Sequence, residues 1–437
     1  MTGRNFAGGF GFLPTVSLRV AVMGSGFILS MLSTRLLTTS FGVESFAVYA
    51  VVVSILASLP FADLGLGAGV VNATSDFHGG RIDRGALQTV LRTTVSALSI
   101  VSCVLIACAA GLFASGSWPS LLAIPSMGMG DSFAASFSLA CVAASIPLGL
   151  GTRIYQGLQR TQTATALTFV GVGVQVATLG VVFLFHLPAW TYAIGPALAL
   201  LLTNAFTMIL ALRAIGIATG QIFVPSRTID LGQYGFSKSA IPYLITLLGV
   251  TLTLQMQRIF LSHASTPDEV ASFSFAAQFS VAITSVVTLS SINLWPKFRD
   301  LQSAGALSQS TILRFVRMYT VVGVAFGAIS ATAAYCLAAF VTNGSVVVSL
   351  VTAATSGLSI FAWSVTRPAV MFLNSPSGFW LQAAWALPCA VTAVILTLTL
   401  GATMGAAGAF LASSIAVFTF TFAPLTIHSL RQIRRPR

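Results

Sequence analysis

Apolar residues fill this chain in long unbroken runs, neither in the narrow stripe of a surface helix nor in the alternation of a half-buried strand. Runs of roughly 20 or more residues, each closed by charge or by Gly/Pro or Asn/Ser clusters, recur at 17–41, 46–71, 89–113, 132–157, 163–186, 190–213, 239–262, 270–295, 312–341, 345–373, 376–400 and 402–428. A helix gains about 1.5 Å per residue, so each run spans a hydrocarbon layer about 30 Å thick. Val321–Phe340 is apolar or small on every face, which a transmembrane β-strand with its alternating faces would not be. The pattern predicts an all-α polytopic membrane protein with about twelve transmembrane helices.

Composition agrees and removes other classes. Of 437 residues 56% are hydrophobic and only 7% charged, whereas a soluble surface needs about a quarter charged. A soluble enzyme and a secreted disulfide scaffold are therefore excluded. The five cysteines, Cys103, Cys108, Cys141, Cys336 and Cys389, all fall inside apolar runs and form neither a disulfide frame nor a metal knuckle. The net charge of +12 would suit nucleic acid on a soluble protein. Here the cations sit between apolar runs, so no nucleic-acid partner is expected and the charge reads as topology.

Counted by alternate connections, 17 of the 21 Lys and Arg residues fall on one side, from Arg4 and Arg19 to Arg431, Arg434, Arg435 and Arg437. The opposite connections hold Glu44, Asp131, Asp268 and Glu269 and no base. Positive charge collects on the cytoplasmic side, so both termini are expected there. Residues 1–17 carry too broken an apolar run for a cleavable signal peptide. The longest cytoplasmic connection, 214–238, contains Pro225, Asp230 and Gly232 and divides the chain into two six-helix bundles, 1–213 and 239–437. The halves echo one another: Arg35-Leu-Leu precedes Glu44 as Arg258-Ile-Phe precedes Glu269, and Thr152-Arg153 matches Thr366-Arg367. With an even number of spans in each half, the repeat is parallel, about an axis along the membrane normal.

Four basic residues remain inside predicted helices: Arg35, Arg153, Arg258 and Arg367. A charge at bilayer depth costs about 2.5–3.5 kcal/mol on insertion scales. It therefore either faces a wet interior, where a guanidinium fork matches phosphate or carboxylate oxygens, or snorkels to the headgroups. Arg153 and Arg367, nearest the cytoplasm, suit snorkelling better, and Arg35 and Arg258 suit a site better. Asp63 is the one acid clearly within a span and reads as a charge partner, an ion-coupling group or a polar break. Four cations against one acid favour an anionic cargo. The run Tyr155–Gln162 holds Gln156, Gln159 and Arg160, which either meet lipid headgroups at the cytoplasmic face or form a tight interfacial turn. Gly24, Gly26, Gly171, Gly173 and Gly65-Leu66-Gly67-Ala68-Gly69 read as close helix packing, because no strand and no Lys-Ser/Thr frames a phosphate loop. No metal spacing, nucleotide motif or cofactor signature is present.

The stretches Arg35-Leu-Leu, Phe41-Gly42 with Glu44-Ser45-Phe46-Ala47-Val48-Tyr49, Ala62-Asp63-Leu64-Gly65-Leu66-Gly67 and Gln156-Gly157-Leu158-Gln159-Arg160, set in this layout, resemble the Wzx-type polysaccharide-biosynthesis (O-antigen) flippases. That family is a branch of the multidrug/oligosaccharidyl-lipid/polysaccharide exporter superfamily, to which the MATE transporters also belong. The resemblance implies paired six-helix bundles in a bacterial inner membrane. It also implies translocation of a polyprenyl-pyrophosphate-linked oligosaccharide by alternating access, in company with a polysaccharide polymerase and ligase. It assigns the pyrophosphate to basic cavity residues, for which Arg35, Arg258, Arg367 and Arg153 are the positions here. The alternatives are a MATE-type drug or metabolite exporter, which would carry more buried carboxylates, and a membrane-embedded glycosyltransferase or polymerase. The latter would carry a large outer loop with catalytic acids, and 114–131 holds a single acid.

Overall fold

The computed structural model describes residues 12–57, 66–224, 236–292, 294–303 and 307–434, and every regular element among them is helical, with no strand. In chain order these are α1 (Phe12–Ala57), α2 (Leu66–His78), α3 (Arg84–Ala114), α4 (Trp118–Leu121), α5 (Met129–Leu148), α6 (Leu150–Gly157), α7 (Thr161–Leu167), α8 (Phe169–Leu184), α9 (Ile194–Ile215), α10 (Thr219–Ile222), α11 (Phe236–Leu254), α12 (Gln257–Ala264), α13 (Pro267–Ile292), α14 (Leu294–Ser303), α15 (Gln309–Thr342), α16 (Leu350–Phe372), α17 (Pro376–Val417) and α18 (Ala423–Arg434). A 3-10 turn, Ala189–Ala193, leads into α9, and a π turn, Phe418–Phe422, joins α17 to α18.

Polar caps set several helix ends away from where the apolar runs stop. Helix α3 begins at Arg84, because the Asp83 carboxylate accepts from the Ala86 backbone N–H at 3.0 Å. Ser308 caps α15 through Thr311, Ser349 caps α16 through Thr352, and Ser375 caps α17 through Gly378. Residues 345–349, predicted as helix, therefore precede α16.

By length and hydropathy the described residues hold eight helices able to cross a membrane, or nine counting the pair Leu244–Leu254 and Gln257–Ala264, which bends by 42°. The protein is a multi-pass membrane protein. The difference from the predicted number has physical sources. Two pairs of predicted segments are each joined into one long element, with non-helical backbone at Gly42 (φ 86°, ψ 176°) in α1 and Gly405 (φ 55°, ψ −132°) in α17. Helix α16, with its serines, threonines and Arg367, falls outside the apolar set.

The described residues fall into two compact units. One draws on Met1–Ser30, Ala62–Ser115 and Phe133–Ser237. Within it α6 meets α2 and α9 at backbone distance: a Cβ on Gly157 would lie 2.7 Å from the Val71 carbonyl oxygen, and one on Gly151 2.6 Å from Met208 Cα. Gly171 packs against Thr203 in the same way, whereas Gly24, Gly26 and Gly173 face open space, so the packing role expected of those three is not realised.

The other unit draws on Met31–Phe61, Gly116–Ser132 and Lys238–Arg437. Its centre is α13, whose Phe273 stacks on Phe410 of α17 at 4.3 Å. Helices α15 and α16 touch at Gly327 and Gly357, where a Cβ on either would come within 2.7 Å of the other's carbonyl oxygen. The turn within α17 is held by α13: Glu269 Oε2 accepts from the Ala406 N–H at 2.7 Å and fills the space a Cβ on Gly405 would need.

Candidate functional site

Three of the four intrahelical arginines, Arg35, Arg258 and Arg367, belong to the second unit, and Arg35 and Arg367 each meet an aromatic ring. Arg367, on α16, is the most deeply buried, 6% exposed. Trp363 stands one helical turn before it, and spacing of four residues places side chains on one face. The guanidinium turns back over that indole at 3.8 Å from the ring centroid. Its other contacts are long: Nε to the Trp363 carbonyl at 3.4 Å and Nη2 to Thr366 Oγ1 at 3.5 Å. Around it lie Tyr319, whose hydroxyl pairs with Ser290 at 3.2 Å, and Thr288, which accepts from Trp363 Nε1 at 3.5 Å. The indole thus gives the guanidinium a buried resting place.

Arg258 opens α12 just beyond the bend after Leu254. The bend arises where the Thr251 carbonyl accepts from both Gln255 and Met256, which ends the regular ladder. Arg258 is half-buried and within electrostatic reach of the Tyr49 hydroxyl, itself hydrogen-bonded to Ser33. Beside it Gln257, 2% exposed, donates to the Ala409 carbonyl at 3.0 Å. Among the described residues the single ion pair is Arg81–Asp76 at 3.0 Å, so neither Arg258 nor Arg367 has a carboxylate counter-ion there. Guanidinium carries five N–H donors and no acceptor, and an unpaired cation in apolar surroundings is unfavourable unless a ligand or water completes it.

Arg35 differs. It is exposed, donates from Nη1 to the Phe340 carbonyl at 3.2 Å and lies 5.8 Å from the Phe340 ring centroid, the geometry of an anchoring side chain. Beyond Arg258, one turn along α12, Ser262 borders a cavity of about 350 Å³ whose polar lining is Glu44, Ser126, Ser262 and Ser265. Its floor, Val48, Val51 and Val270, is apolar. Side-chain bonds tie the early segments of this unit to the later ones: Ser262 donates to the Leu122 carbonyl at 2.6 Å and Gln278 donates to Thr34 Oγ1 at 2.9 Å.

No protein-family model matches the chain, and no curated protein matches its sequence. Solved structures do match over nearly all of it. Lipid II flippase MurJ in an inward closed conformation superposes with a TM-score of 0.68 at 13% identity, covering 96% of this chain and 88% of that one. The MATE multidrug transporter DinF-BH, solved as a complex, gives 0.62 at 16%, covering 97% and 96%. An inward-facing multidrug resistance MATE family transporter of the MOP superfamily gives 0.60 at 16%, covering 95% and 97%. The chain has the fold of these flippases and exporters. The fold expected from the sequence resemblance is thus present, and the match does not single out the Wzx-type branch.

The remaining candidates lie in the first unit or outside the described residues. Arg153 on α6 is half-buried and its Nη1 lies 3.3 Å from Gln156 Oε1. Gln159 and Arg160 are exposed in a tight turn after α6, where Arg160 N–H bonds the Tyr155 carbonyl and Gln159 N–H the Gln156 carbonyl, with Gln159 at φ 58°. That is a Schellman-type helix end, so the turn reading is realised in the backbone. Asp63 lies outside the described residues.

Tyr49, Trp363, Tyr319 and the two glutamines were not singled out from the sequence. The signal was present for Gln278, a lone amide in an apolar stretch, where polar side chains act as interhelical ties, whereas Gln257 is one of several polar residues beside Arg258. The Trp363–Arg367 pair was legible in its four-residue spacing.

Proposed function

We propose that this protein is a transporter that flips a polyprenyl-pyrophosphate-linked oligosaccharide from the cytoplasmic to the outer leaflet of a bacterial inner membrane, for assembly of a surface polysaccharide. The observation that carries the reading is the pair of inward-held arginines, Arg258 and Arg367, without a carboxylate partner among the described residues. A diphosphate crossing hydrocarbon must have its lost hydration replaced, and guanidinium forks match its oxygens. The hydroxyl- and carboxylate-lined cavity one turn past Arg258 offers acceptors for sugar hydroxyls, and its apolar floor suits their C–H faces. The polyprenyl chain remains in lipid throughout.

The six-plus-six division, 1–213 and 239–437 about the 214–238 linker, supplies two bundles for alternating access, and both termini lie in the cytoplasm in this scheme. The bonds from Ser262 to Leu122 and from Gln278 to Thr34 lie within the second compact unit, where they hold segments from early in the chain against later ones. Arg35 serves at the rim, Arg153 within the first bundle, and Gln156, Gln159 and Arg160 receive the headgroup at the cytoplasmic face. Asp63 is a candidate for ion coupling. The polymerase and ligase that consume the flipped product are the expected partners.

A multidrug exporter of the same fold is the second reading. Against it stands the balance of charge, since neither Arg258 nor Arg367 forms an ion pair with a described carboxylate and Glu44 is the single acid lining the cavity, where an organic cation would favour more. The discriminating experiment replaces Arg258 and Arg367 in the living cell. Arg258→Ala and Arg367→Ala, at normal protein level, are expected to abolish surface polymer, and Arg→Lys at either position to restore part of it, since a lysine keeps the charge but not the fork. Normal polymer from the double alanine variant removes both residues from the site.

A further inference from the structure

Basic residues at the ends of helices follow from topology alone, but in the first unit Arg81, Arg84 and Arg92 are already engaged with protein groups. Arg81 is paired with Asp76 at 3.0 Å. Arg84 packs its guanidinium against Gly216 at the end of α9, 2.8 Å from where a Cβ would sit, and Arg92 Nε donates to the Val224 carbonyl at 2.9 Å. The second unit contains a corner where they are not so engaged. Helix α14, the first turns of α15 and the end of α18 close there on one small apolar core of Leu294, Phe298, Ile312 and Tyr319, with Leu430 and Ile433 packed against it. Phe298 meets Phe315 edge-on at 5.3 Å, and Gln309 Nε2 ties α15 to the Leu430 carbonyl at 2.9 Å.

With that core closed, the outward side chains of the three helices are Lys297, Arg314, Arg317 and Arg431, all exposed and none in an ion pair among the described residues. Lys297 is held 5.1 Å over the Phe315 ring, which fixes its ammonium at the surface. Between the cations stand exposed apolar residues: Trp295, Leu313, Met318 and Ile427. Tryptophan and cations alternating with aliphatic side chains at the end of membrane-spanning helices match the boundary between acyl chains and headgroups.

We propose that this corner binds an anionic phospholipid of the surrounding bilayer, its phosphate on Arg314, Arg317 and Lys297 and its acyl chains along Trp295, Leu313 and Met318. The occupant is a lipid and not a free phosphate, because the cations are interleaved with apolar surface that only acyl chains would cover. The inference is independent of the cargo proposed above, as none of these residues belongs to the transport site.

The test uses the purified full chain in a zwitterionic detergent with brominated lipids, which quench a tryptophan they touch. The contribution of Trp295 is the difference between the protein and its Trp295→Phe variant. Brominated phosphatidylglycerol is expected to quench Trp295 saturably and brominated phosphatidylcholine weakly. Near a membrane each Lys or Arg contributes roughly a fivefold gain in affinity for anionic lipid, so Arg314→Gln/Arg317→Gln should weaken the phosphatidylglycerol effect about 25-fold. The charge-matched pair Arg81→Gln/Arg92→Gln, at cations engaged with protein groups, should change it less than twofold. Equal quenching by the two lipids, or an unchanged affinity in the Arg314/Arg317 variant, overturns the proposal. So does full competition by millimolar inorganic phosphate, which would make the site one for a free anion. Should the double variant fail to fold, Lys297→Gln and the salt dependence of quenching decide in its place, and salt-independent quenching rejects the site.

Discussion

A guanidinium held within a helix bundle, with two long hydrogen-bond contacts and no carboxylate partner among the described residues, destabilises the fold that holds it. Arg367 makes that conflict measurable. If it is kept for its cargo, Arg367→Met, which fills similar volume without charge, should leave the melting temperature unchanged or raise it while surface polymer is lost. A melting temperature lowered by several degrees, with polymer intact, would make Arg367 a packing residue instead. The sequence reading found Arg367 because a lone cation in an apolar run is conspicuous. It missed which way the side chain turns, since that depends on the Trp363 ring face one turn earlier. Arg35 shows the reverse: conspicuous for the same reason, it is exposed, with its guanidinium against Phe340.

Among the elements, the helices were legible and their joints were not. Long apolar runs identify segments, but α1 and α17 each carry two predicted segments through a single non-helical glycine. Hydropathy does not register a one-residue change of backbone conformation. Gly405 occupies a region that side-chain-bearing residues rarely adopt, with the Glu269 carboxylate where a Cβ would stand. Gly405→Ala should therefore destabilise by about 2 kcal/mol or more, read as a lower melting temperature of the purified protein. Glu269→Ala should cost about 1–3 kcal/mol by leaving the Ala406 N–H without its acceptor, and Glu269→Gln less, because its amide oxygen still accepts. Equal stability of all three variants with the parent would show that the α13–α17 contact does not hold this joint. Cap residues were signals that the apolar runs passed over: Ser349 and Ser375 each precede their helix with the spacing a hydroxyl needs to reach the third following N–H, and the run 345–373 crosses Ser349.

At the scale of the whole molecule, composition and run length specified the solvent of the chain and its helical class, and the match to MurJ and MATE structures over 95–97% of the chain agrees with that class. Which helices cluster was beyond the sequence, because it depends on glycine contacts such as Gly327 with Gly357 between distant segments of similar hydropathy. The substrate is argued from charge: two arginines, Arg258 and Arg367, without an ion pair among the described residues, the first of them one turn from a cavity lined by hydroxyls and Glu44. The most direct test is to disrupt the gene and follow labelled polyprenyl-pyrophosphate oligosaccharide by leaflet. The account predicts that completed oligosaccharide accumulates on the cytoplasmic leaflet while surface polymer disappears, and that the parent chain restores both. Normal arrival of the labelled lipid at the outer leaflet without this protein would contradict it.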